Sequence, residues 1–138
     1  MLELAKKICM EAHEGQVDKG GAPYYLHPFH VARGCKTEKQ KIVALLHDVI
    51  EDNSCYSTDY FLEQGFSPDI VEALDVITHR KGEEYGAYIE RVKTNELAKA
   101  VKIQDMRHNS DLTRLKVVTE KDLARVKKYK HYLKELSK

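Results

Sequence analysis

The stretch Ala44-Leu45-Leu46-His47-Asp48-Val49-Ile50-Glu51-Asp52 places an apolar run directly before two pairs of ionisable residues. At about 100° per residue, an α-helix through this stretch separates its residues into two arcs. With Ile42 as zero, the apolar arc, between about 300° and 40°, holds Leu45, Leu46 and Val49. The polar arc, at about 140°, 180°, 240° and 280°, holds His47, Glu51, Asp48 and Asp52. The stretch therefore predicts a helix with one core face and one face that carries three carboxylates and an imidazole.

This polar face has no cation on its own segment. No Lys or Arg follows Lys41 at the i±3 or i±4 spacing that would pair with the carboxylates. We therefore expect something cationic to lie against them. A solvated acidic face is the alternative, but such a face rarely carries His beside Asp directly after an apolar run. The pattern favours a metal site.

The composition bounds the class of protein. At 138 residues, the chain has the size of one domain, residues 1–138, which is large enough to bury a core without disulfides or a structural metal. Its formal net charge is +1, with 23 Lys and Arg against 22 Asp and Glu, which argues against a nucleic-acid partner. The scattered cysteines, Cys9, Cys35 and Cys55, are typical of reduced thiols. With no signal peptide and no apolar run near ~20 residues, we expect a cytoplasmic protein without a membrane partner. The oligomeric state stays open, a homo-oligomer included.

Helical periodicity and capping signals predict an all-α bundle of about eight helices, because no segment alternates with period two for long enough to form a strand. The predicted helices cover residues 2–14, 28–35, 38–52, 58–64, 68–78, 83–93, 95–109 and a last helix that begins after Thr119. Capping-box spacing occurs at Thr37 with Gln40 and at Thr119 with Asp122, and Ser67-Pro68 fits an N-cap followed by a first-turn proline. The last helix is expected to turn Leu123, Val126, Leu133 and Leu136 toward the core. Residues 15–26, rich in glycine, predict a loop that can bring backbone close to a ligand.

Two further residues extend the candidate metal site. Asp105 lies in a segment, 97–109, whose apolar residues occur all around the helix, so we expect it to be buried. A buried carboxylate needs a metal, an Arg or several hydrogen-bond donors, and a structural pair with an Arg is the alternative here. His27, directly after the glycine-rich loop, supplies a second imidazole. His27, His47, Asp48 and Asp105 together offer two nitrogen and two oxygen donors, a set that suits Mn²⁺, Fe²⁺ or Zn²⁺ better than Ca²⁺. We interpret the remaining histidines as structural or surface residues: His13, His30, His79, His108 and His131.

Three ordered motifs resemble a known family. The first motif runs from His13-Glu14-Gly15-Gln16 through Gly20-Gly21-Ala22-Pro23-Tyr24 to His27-Pro28. The second is the 44–52 stretch, and the third is the 101–109 stretch that contains Asp105 and Asn109. Together they cover nearly the whole chain and resemble the hydrolase domain of the RelA/SpoT stringent-response enzymes. The resemblance is closer still to the free-standing small alarmone hydrolases of the HD superfamily.

The resemblance implies an HD-type helical bundle around a metal site and a Mn²⁺-dependent hydrolase. The implied reaction removes the 3′-pyrophosphate from alarmone-like nucleotides such as (p)ppGpp. The implied Mn²⁺ ligands are His27, His47, Asp48 and Asp105. The implied water-activating pair is Glu51 and Asp52. The implied contacts to the nucleotide substrate are Lys19, Asn109, Arg125 and Tyr129. Larger family members carry a synthetase domain downstream, for which these 138 residues leave no room.

The chain departs from the family pattern at two positions. Asp18 stands where the family's loop usually has an Arg that packs on the guanine base, and Asn53 replaces a usual Thr. A carboxylate cannot stack on a base as a guanidinium can. It can instead accept a hydrogen bond from the base, hold Lys19 in place or face solvent. The base therefore stays open, and an adenine alarmone or an NADPH-like nucleotide is an alternative substrate.

Two alternatives belong to other classes of protein. One is a nucleotide-binding module that has kept the fold and lost turnover, which the complete set of candidate ligands and acids argues against. The other is nucleic-acid binding through the Lys- and Arg-rich last helix. A charge run of this kind is usually a solvated face, and only Tyr129 and Tyr132 are available there for stacking.

Overall fold

The computed structural model describes all residues from Met1 to Lys138 and confirms the all-α fold. Its nine helices are α1 (Leu2–Ala12), α2 (Leu26–Arg33), α3 (Glu38–Leu46), α4 (Val49–Asp52), α5 (Thr58–Glu63), α6 (Pro68–Ile77), α7 (Tyr85–Lys93), α8 (Glu96–Asn109) and α9 (Glu120–Leu136), with a 3-10 turn at Leu112–Arg114. Extended pairing is limited to one isolated antiparallel bridge between Val17 and Pro23. None of the helices has the length and apolar composition needed to cross a bilayer.

Two helices form the centre of the bundle. α3 packs against α1, α2, α6 and α8, and α8 packs against α2, α3, α6, α7 and α9. Residues 42 to 46 of α3 are all buried and belong to one contiguous apolar core of 26 buried residues. Polar side chains at the end of α3 and within α8 are consequently brought together in the interior, where their partners must come from the protein or from a bound ion.

The helix starts follow the sequence signals. Both predicted capping boxes are present, at Thr37 with Gln40 and at Thr119 with Asp122, and Pro68 stands in the first turn of α6 after Ser67. The expected core face of α9 is wrong at its first position, because Leu123 is 52% exposed. The inward stripe of α9 passes through positions 122, 126, 129, 133 and 136, so the first inward position belongs to Asp122.

The predicted helix 38–52 is interrupted at the two residues that carry its chemistry. α3 ends at Leu46, His47 and Asp48 form a turn, and α4 begins at Val49. Both turn residues keep right-handed backbone angles, with φ −62° and ψ −27° at His47 and φ −101° and ψ −4° at Asp48. The chain therefore continues in the same direction, and the apolar arc predicted from the sequence is still buried, since Leu45, Leu46 and Val49 are at most 1% exposed.

Candidate metal centre and adjoining pocket

Four side chains from three parts of the fold meet at one point between α2, α3 and α8. They are His27 in α2, His47 and Asp48 in the turn after α3, and Asp105 in α8. Each offers one ligand atom, and these atoms all lie within 4.8 Å of one another. The structure therefore brings together all four residues that the sequence predicted as metal ligands.

The distances within this cluster are short. Asp105 Oδ1 lies 2.7 Å from His27 Nε2 and 3.2 Å from His47 Nε2. Asp48 Oδ2 lies 3.2 Å from His47 Nε2. His27, His47 and Asp105 are almost fully buried, whereas the side chain of Asp48 is 18% exposed. The cluster is thus closed on three sides and open to solvent beside Asp48, as a site that admits water or substrate must be.

Outer hydrogen bonds orient both imidazoles. His47 Nδ1 donates to the carbonyl oxygen of Ala44, which leaves Nε2 as the nitrogen that faces the cluster. His27 Nδ1 lies 2.7 Å from His108 Nδ1. Burial and the nearby Arg114 lower the pKa of His108 to about 3, so this ring is neutral and can accept the His27 N–H. Metal-ligating histidines are usually held by such a bond from their second nitrogen.

The electrostatics of the cluster favour a cation. Burial alone would lower the pKa of His47, but the charges of Asp48 and Asp105 outweigh burial and raise it to about 9. Burial likewise opposes the charge on Asp105, but Lys102 and His47 outweigh it and hold the pKa of Asp105 well below its usual range. These charges therefore keep Asp105 ionised and retain a positive charge at His47, a place that a divalent cation can take. The donor set and this field together fit a divalent metal.

Lys102 is a partner of Asp105 that sequence reasoning missed. Its Nζ donates to Asp105 Oδ2 at 2.9 Å, and it lies 5.2 Å from the ring centroid of Tyr88. Asn109 donates to Asp105 Oδ1 at 3.1 Å from one turn further along α8. The signal for Lys102 was present in the sequence, because residues three apart on a helix are neighbours. The expected cation near the acidic face is thus supplied in part from α8.

The two predicted water-activating acids have hydrogen-bond partners in different parts of the chain. Glu51 Oε2 accepts the backbone N–H of His79 at 3.4 Å. Asp52 Oδ2 accepts from Gln16 Nε2 at 3.2 Å, and Gln16 Oε1 is in turn bonded to His13 Nδ1. Burial, followed by the charge of Asp48, raises the pKa of both Glu51 and Asp52. A carboxylate with a raised pKa is a better proton acceptor for an attacking water.

A pocket of about 260 Å³ lies next to this cluster. Its walls contain all four residues that the sequence predicted as nucleotide contacts, namely Lys19, Asn109, Arg125 and Tyr129. Tyr24 and Asn109 connect the pocket to the four-residue cluster, because the Tyr24 hydroxyl donates to Asp48 Oδ2 at 2.5 Å and Asn109 donates to Asp105. A ligand in the pocket would therefore lie beside the open side of the four-residue cluster.

Asp18 is engaged within its own loop. Its Oδ1 accepts the backbone N–H groups of Gly20 and Ala22 at 2.9 and 3.0 Å. Its Oδ2 lies 3.5 Å from an Nη of Arg114. The structure shows no hydrogen bond or ion pair between the side chains of Asp18 and Lys19, and the Asp18 side chain is only 16% exposed. Asp18 instead ties the glycine-rich loop to Arg114, a pocket residue that no sequence pattern marked.

The helical fold and the His and Asp cluster are consistent with an HD-type hydrolase domain. About half of the chain is similar to RelA/SpoT-type enzymes. It is 37% identical over 75 residues, 51% of the chain, to the guanosine-3′,5′-bis(diphosphate) 3′-pyrophosphohydrolase of Vibrio cholerae. It is 36% identical over 83 residues, 56% of the chain, to the bifunctional (p)ppGpp synthase/hydrolase SpoT of Escherichia coli. A GTP pyrophosphokinase of Myxococcus xanthus is 34% identical over 84 residues, again 56% of the chain.

These similarities are partial on both sides of the comparison. The matched residues make up 10 or 11% of the length of the three relatives. No family model matches the chain. The relatives therefore support a hydrolase of the (p)ppGpp 3′-pyrophosphohydrolase kind, and the particular reaction has to be argued from the site.

Proposed function

We propose that this chain is a Mn²⁺-dependent phosphohydrolase that removes pyrophosphate from the 3′ position of an alarmone-like nucleotide such as (p)ppGpp. The observation that carries the proposal is the connection of a cationic pocket to a cluster of two imidazoles and two carboxylates through Tyr24 and Asn109. The names of the partial relatives support the same reaction class. The substrate is a small-molecule nucleotide met in the cytoplasm, and neither nucleic acid nor membrane is a partner.

His27, His47, Asp48 and Asp105 would hold the metal in this proposal. Three of them are buried, and Asp48 lies at the solvent-open side, where the substrate enters. A divalent metal bound there lowers the pKa of a water molecule and polarises a phosphoryl oxygen. Mn²⁺ is proposed because the resemblance to the RelA/SpoT hydrolase domain implies it, and a set of two imidazoles and two carboxylates is compatible with this ion.

Glu51 and Asp52 would deprotonate and position the attacking water. The water oxygen forms a bond to the phosphorus attached to the 3′ oxygen, and Glu51 accepts the proton that the water loses. The bond from that phosphorus to the 3′ oxygen breaks, pyrophosphate leaves, and the 3′ oxygen takes up a proton to become a hydroxyl group. Asp52, held by Gln16, helps to keep the water in place.

Lys19, Arg125, Asn109 and Tyr129 would bind the rest of the nucleotide. Arg125 donates one Nη to Asp122 at 2.9 Å, and its other donors are free for phosphate oxygens, which a guanidinium binds in bidentate fashion. Lys19 is exposed at the pocket and adds a second phosphate-binding charge. Asn109 would hydrogen-bond the sugar or the base, and Tyr129 would form a wall against the nucleotide, since both residues line the pocket.

A related phosphohydrolase that acts on another phosphorylated nucleotide is the second candidate. The observation that favours it is Asp18, which occupies a loop position where the resembling enzymes usually carry an Arg. An adenine alarmone and an NADPH-like nucleotide are the substrates to compare.

A panel of nucleotides tests both candidates. Metal-stripped protein is reloaded with Mn²⁺ and incubated with guanine and adenine 3′-pyrophosphates and with NADPH, and the products are separated by anion exchange. The proposal predicts pyrophosphate and a 5′-phosphorylated nucleoside from the guanine 3′-pyrophosphate. Cleavage of the adenine 3′-pyrophosphate or of NADPH without cleavage of the guanine compound would support the second candidate, and no product from any nucleotide would contradict both. The Asp48→Asn variant serves as the metal-site control.

A further inference from the structure

Arg114 lies in the pocket wall, and both of its Nη atoms face protein acceptors. One Nη donates to the carbonyl oxygen of His108 at 3.0 Å and faces Asn109 Oδ1 at 3.4 Å. The other Nη lies 3.5 Å from Asp18 Oδ2. The side chain is 23% exposed, and Arg114 lines the pocket. Both Nη atoms are therefore turned toward protein acceptors, whereas Nε has no protein partner, and part of the group remains accessible.

The backbone of Arg114 is fixed against the glycine-rich loop. A Cβ atom at Gly20 would lie 2.2 Å from the Arg114 carbonyl oxygen, so the two backbones are in direct contact. Asp18 Oδ1 holds the same loop by accepting from Gly20 and Ala22. Asp18 thus links the backbone of the glycine-rich loop to the guanidinium of Arg114.

The other two cations of the pocket are placed differently. Arg125 has one protein partner, Asp122, and Lys19 is exposed without an ion-pair partner. Their free donors suit phosphate oxygens, which require N–H groups pointing at them. Arg114 differs because both of its Nη atoms already face protein acceptors. A planar guanidinium held in this way still offers its face, which stacks on flat conjugated rings.

We propose that the face of the Arg114 guanidinium receives the nucleobase of the bound nucleotide and that Asp18 is the positioning residue that holds it there. This inference rests on the proposed function and deepens it, because it names the part of the ligand that the Arg114 wall contacts. Stacking tolerates any base. Asp18 therefore contributes to nucleotide affinity without reading the identity of the base.

Binding measurements on the full chain test this assignment without requiring turnover. Titration calorimetry with GDP, ADP and inorganic pyrophosphate compares wild type with Arg114→Ala, Arg114→Lys and Asp18→Asn. Arg107→Ala is the matched control, since Arg107 is an exposed arginine of α8 outside the pocket. Asp18→Asn keeps an amide oxygen for the loop N–H groups and removes only the charge next to Arg114. Circular dichroism verifies that each variant is folded.

We expect Arg114→Ala to weaken GDP and ADP about tenfold, or ~1.4 kcal/mol, and to leave pyrophosphate within about twofold. Lysine has no planar face, so Arg114→Lys should not restore nucleotide binding. Asp18→Asn should weaken GDP and ADP by a smaller factor than Arg114→Ala and should likewise leave the affinity for pyrophosphate unchanged. Equal weakening of pyrophosphate and GDP, or rescue by lysine, would overturn the proposal in favour of a phosphate contact. Unchanged nucleotide affinity in Arg114→Ala, or no nucleotide binding by wild type, would also overturn it.

The outcome separates this proposal from the proposed function. If wild type binds GDP through Arg114 but hydrolyses no 3′-pyrophosphate, the base contact stands and the reaction is wrong. If wild type hydrolyses the 3′-pyrophosphate and Arg114→Ala does so with unchanged KM, the reaction stands and the base contact is wrong.

Discussion

Replacement of Asp105 by Asn should destabilise the metal-free protein as well as abolish metal binding. Asp105 is 4% exposed. Its two oxygens accept from Lys102 and Asn109, and Oδ1 lies 2.7 Å from His27 Nε2 and 3.2 Å from His47 Nε2. Loss of its charge leaves Lys102, whose side chain is 14% exposed, without a counter-ion. Breaking a buried pair on one side costs about 3–5 kcal/mol, and the amide keeps some hydrogen bonds, so we expect a loss of about 3 kcal/mol.

The matched control is Asp48→Asn, which removes a ligand of the same type from the open side of the cluster. Asp48 has no Lys or Arg partner, and its side chain is 18% exposed, so the metal-free variant should lose much less stability. In a chain of 138 residues, a loss of about 3 kcal/mol lowers Tm by roughly 10 °C. Mn²⁺ at about 100 times its Kd stabilises wild type by about 2.7 kcal/mol and should stabilise neither variant.

Thermal unfolding followed by circular dichroism, in chelator and in excess Mn²⁺, measures both effects. Agreement of Tm within about 2 °C between metal-free wild type and Asp105→Asn would refute the argument that Asp105 neutralises a buried charge. A Mn²⁺-induced rise in Tm in either variant would refute the four-ligand set.

Three further substitutions test separate parts of the site. Glu51→Gln keeps the shape of the side chain but cannot accept a proton, so kcat should fall at least ~100-fold while metal binding, measured by calorimetry, is retained; near-normal turnover would assign water activation to another group. Tyr24→Phe removes the donor to Asp48 and should weaken Mn²⁺ binding about tenfold or more, whereas unchanged affinity would show that this hydrogen bond does not orient the ligand. Gly20→Ala places a Cβ 2.2 Å from the Arg114 carbonyl oxygen, so the loop must shift and KM for the nucleotide should rise; an unchanged KM would mean that the loop does not shape the pocket.

Local signals in the sequence determined much of the fold. The capping boxes at Thr37 and Thr119 specify where α3 and α9 begin, because these bonds form between residues three apart. The break at His47 and Asp48 was not predictable from periodicity, since the apolar arc has the same phase on both sides of the turn. Leu123 was misplaced because an acidic residue, Asp122, occupies the inward position at the start of α9.

Much of the cluster could be anticipated because buried ionisable residues need partners. The buried setting of Asp105 was expected from the apolar residues around its helix, and α8 does bury it. The residues that shape the pocket were harder to predict from the sequence. Arg114 lies in the turn that follows α8, and its side chain is held in the pocket wall by Asp18, which lies 96 positions earlier in the chain. Contacts of this range leave no local pattern, so only the folded arrangement reveals them.

The most direct test of a metal-dependent 3′-pyrophosphohydrolase is a Mn²⁺ titration of the metal-stripped protein during turnover. Pyrophosphate released from (p)ppGpp is followed by phosphorus NMR, and bound metal is measured in parallel by elemental analysis. We expect no release from stripped protein and a rate that rises in proportion to bound Mn²⁺ until the four-ligand site is filled, with neither metal nor turnover in Asp48→Ala. Full activity in stripped protein, or Mn²⁺ binding in Asp48→Ala equal to that of wild type, would contradict the assignment.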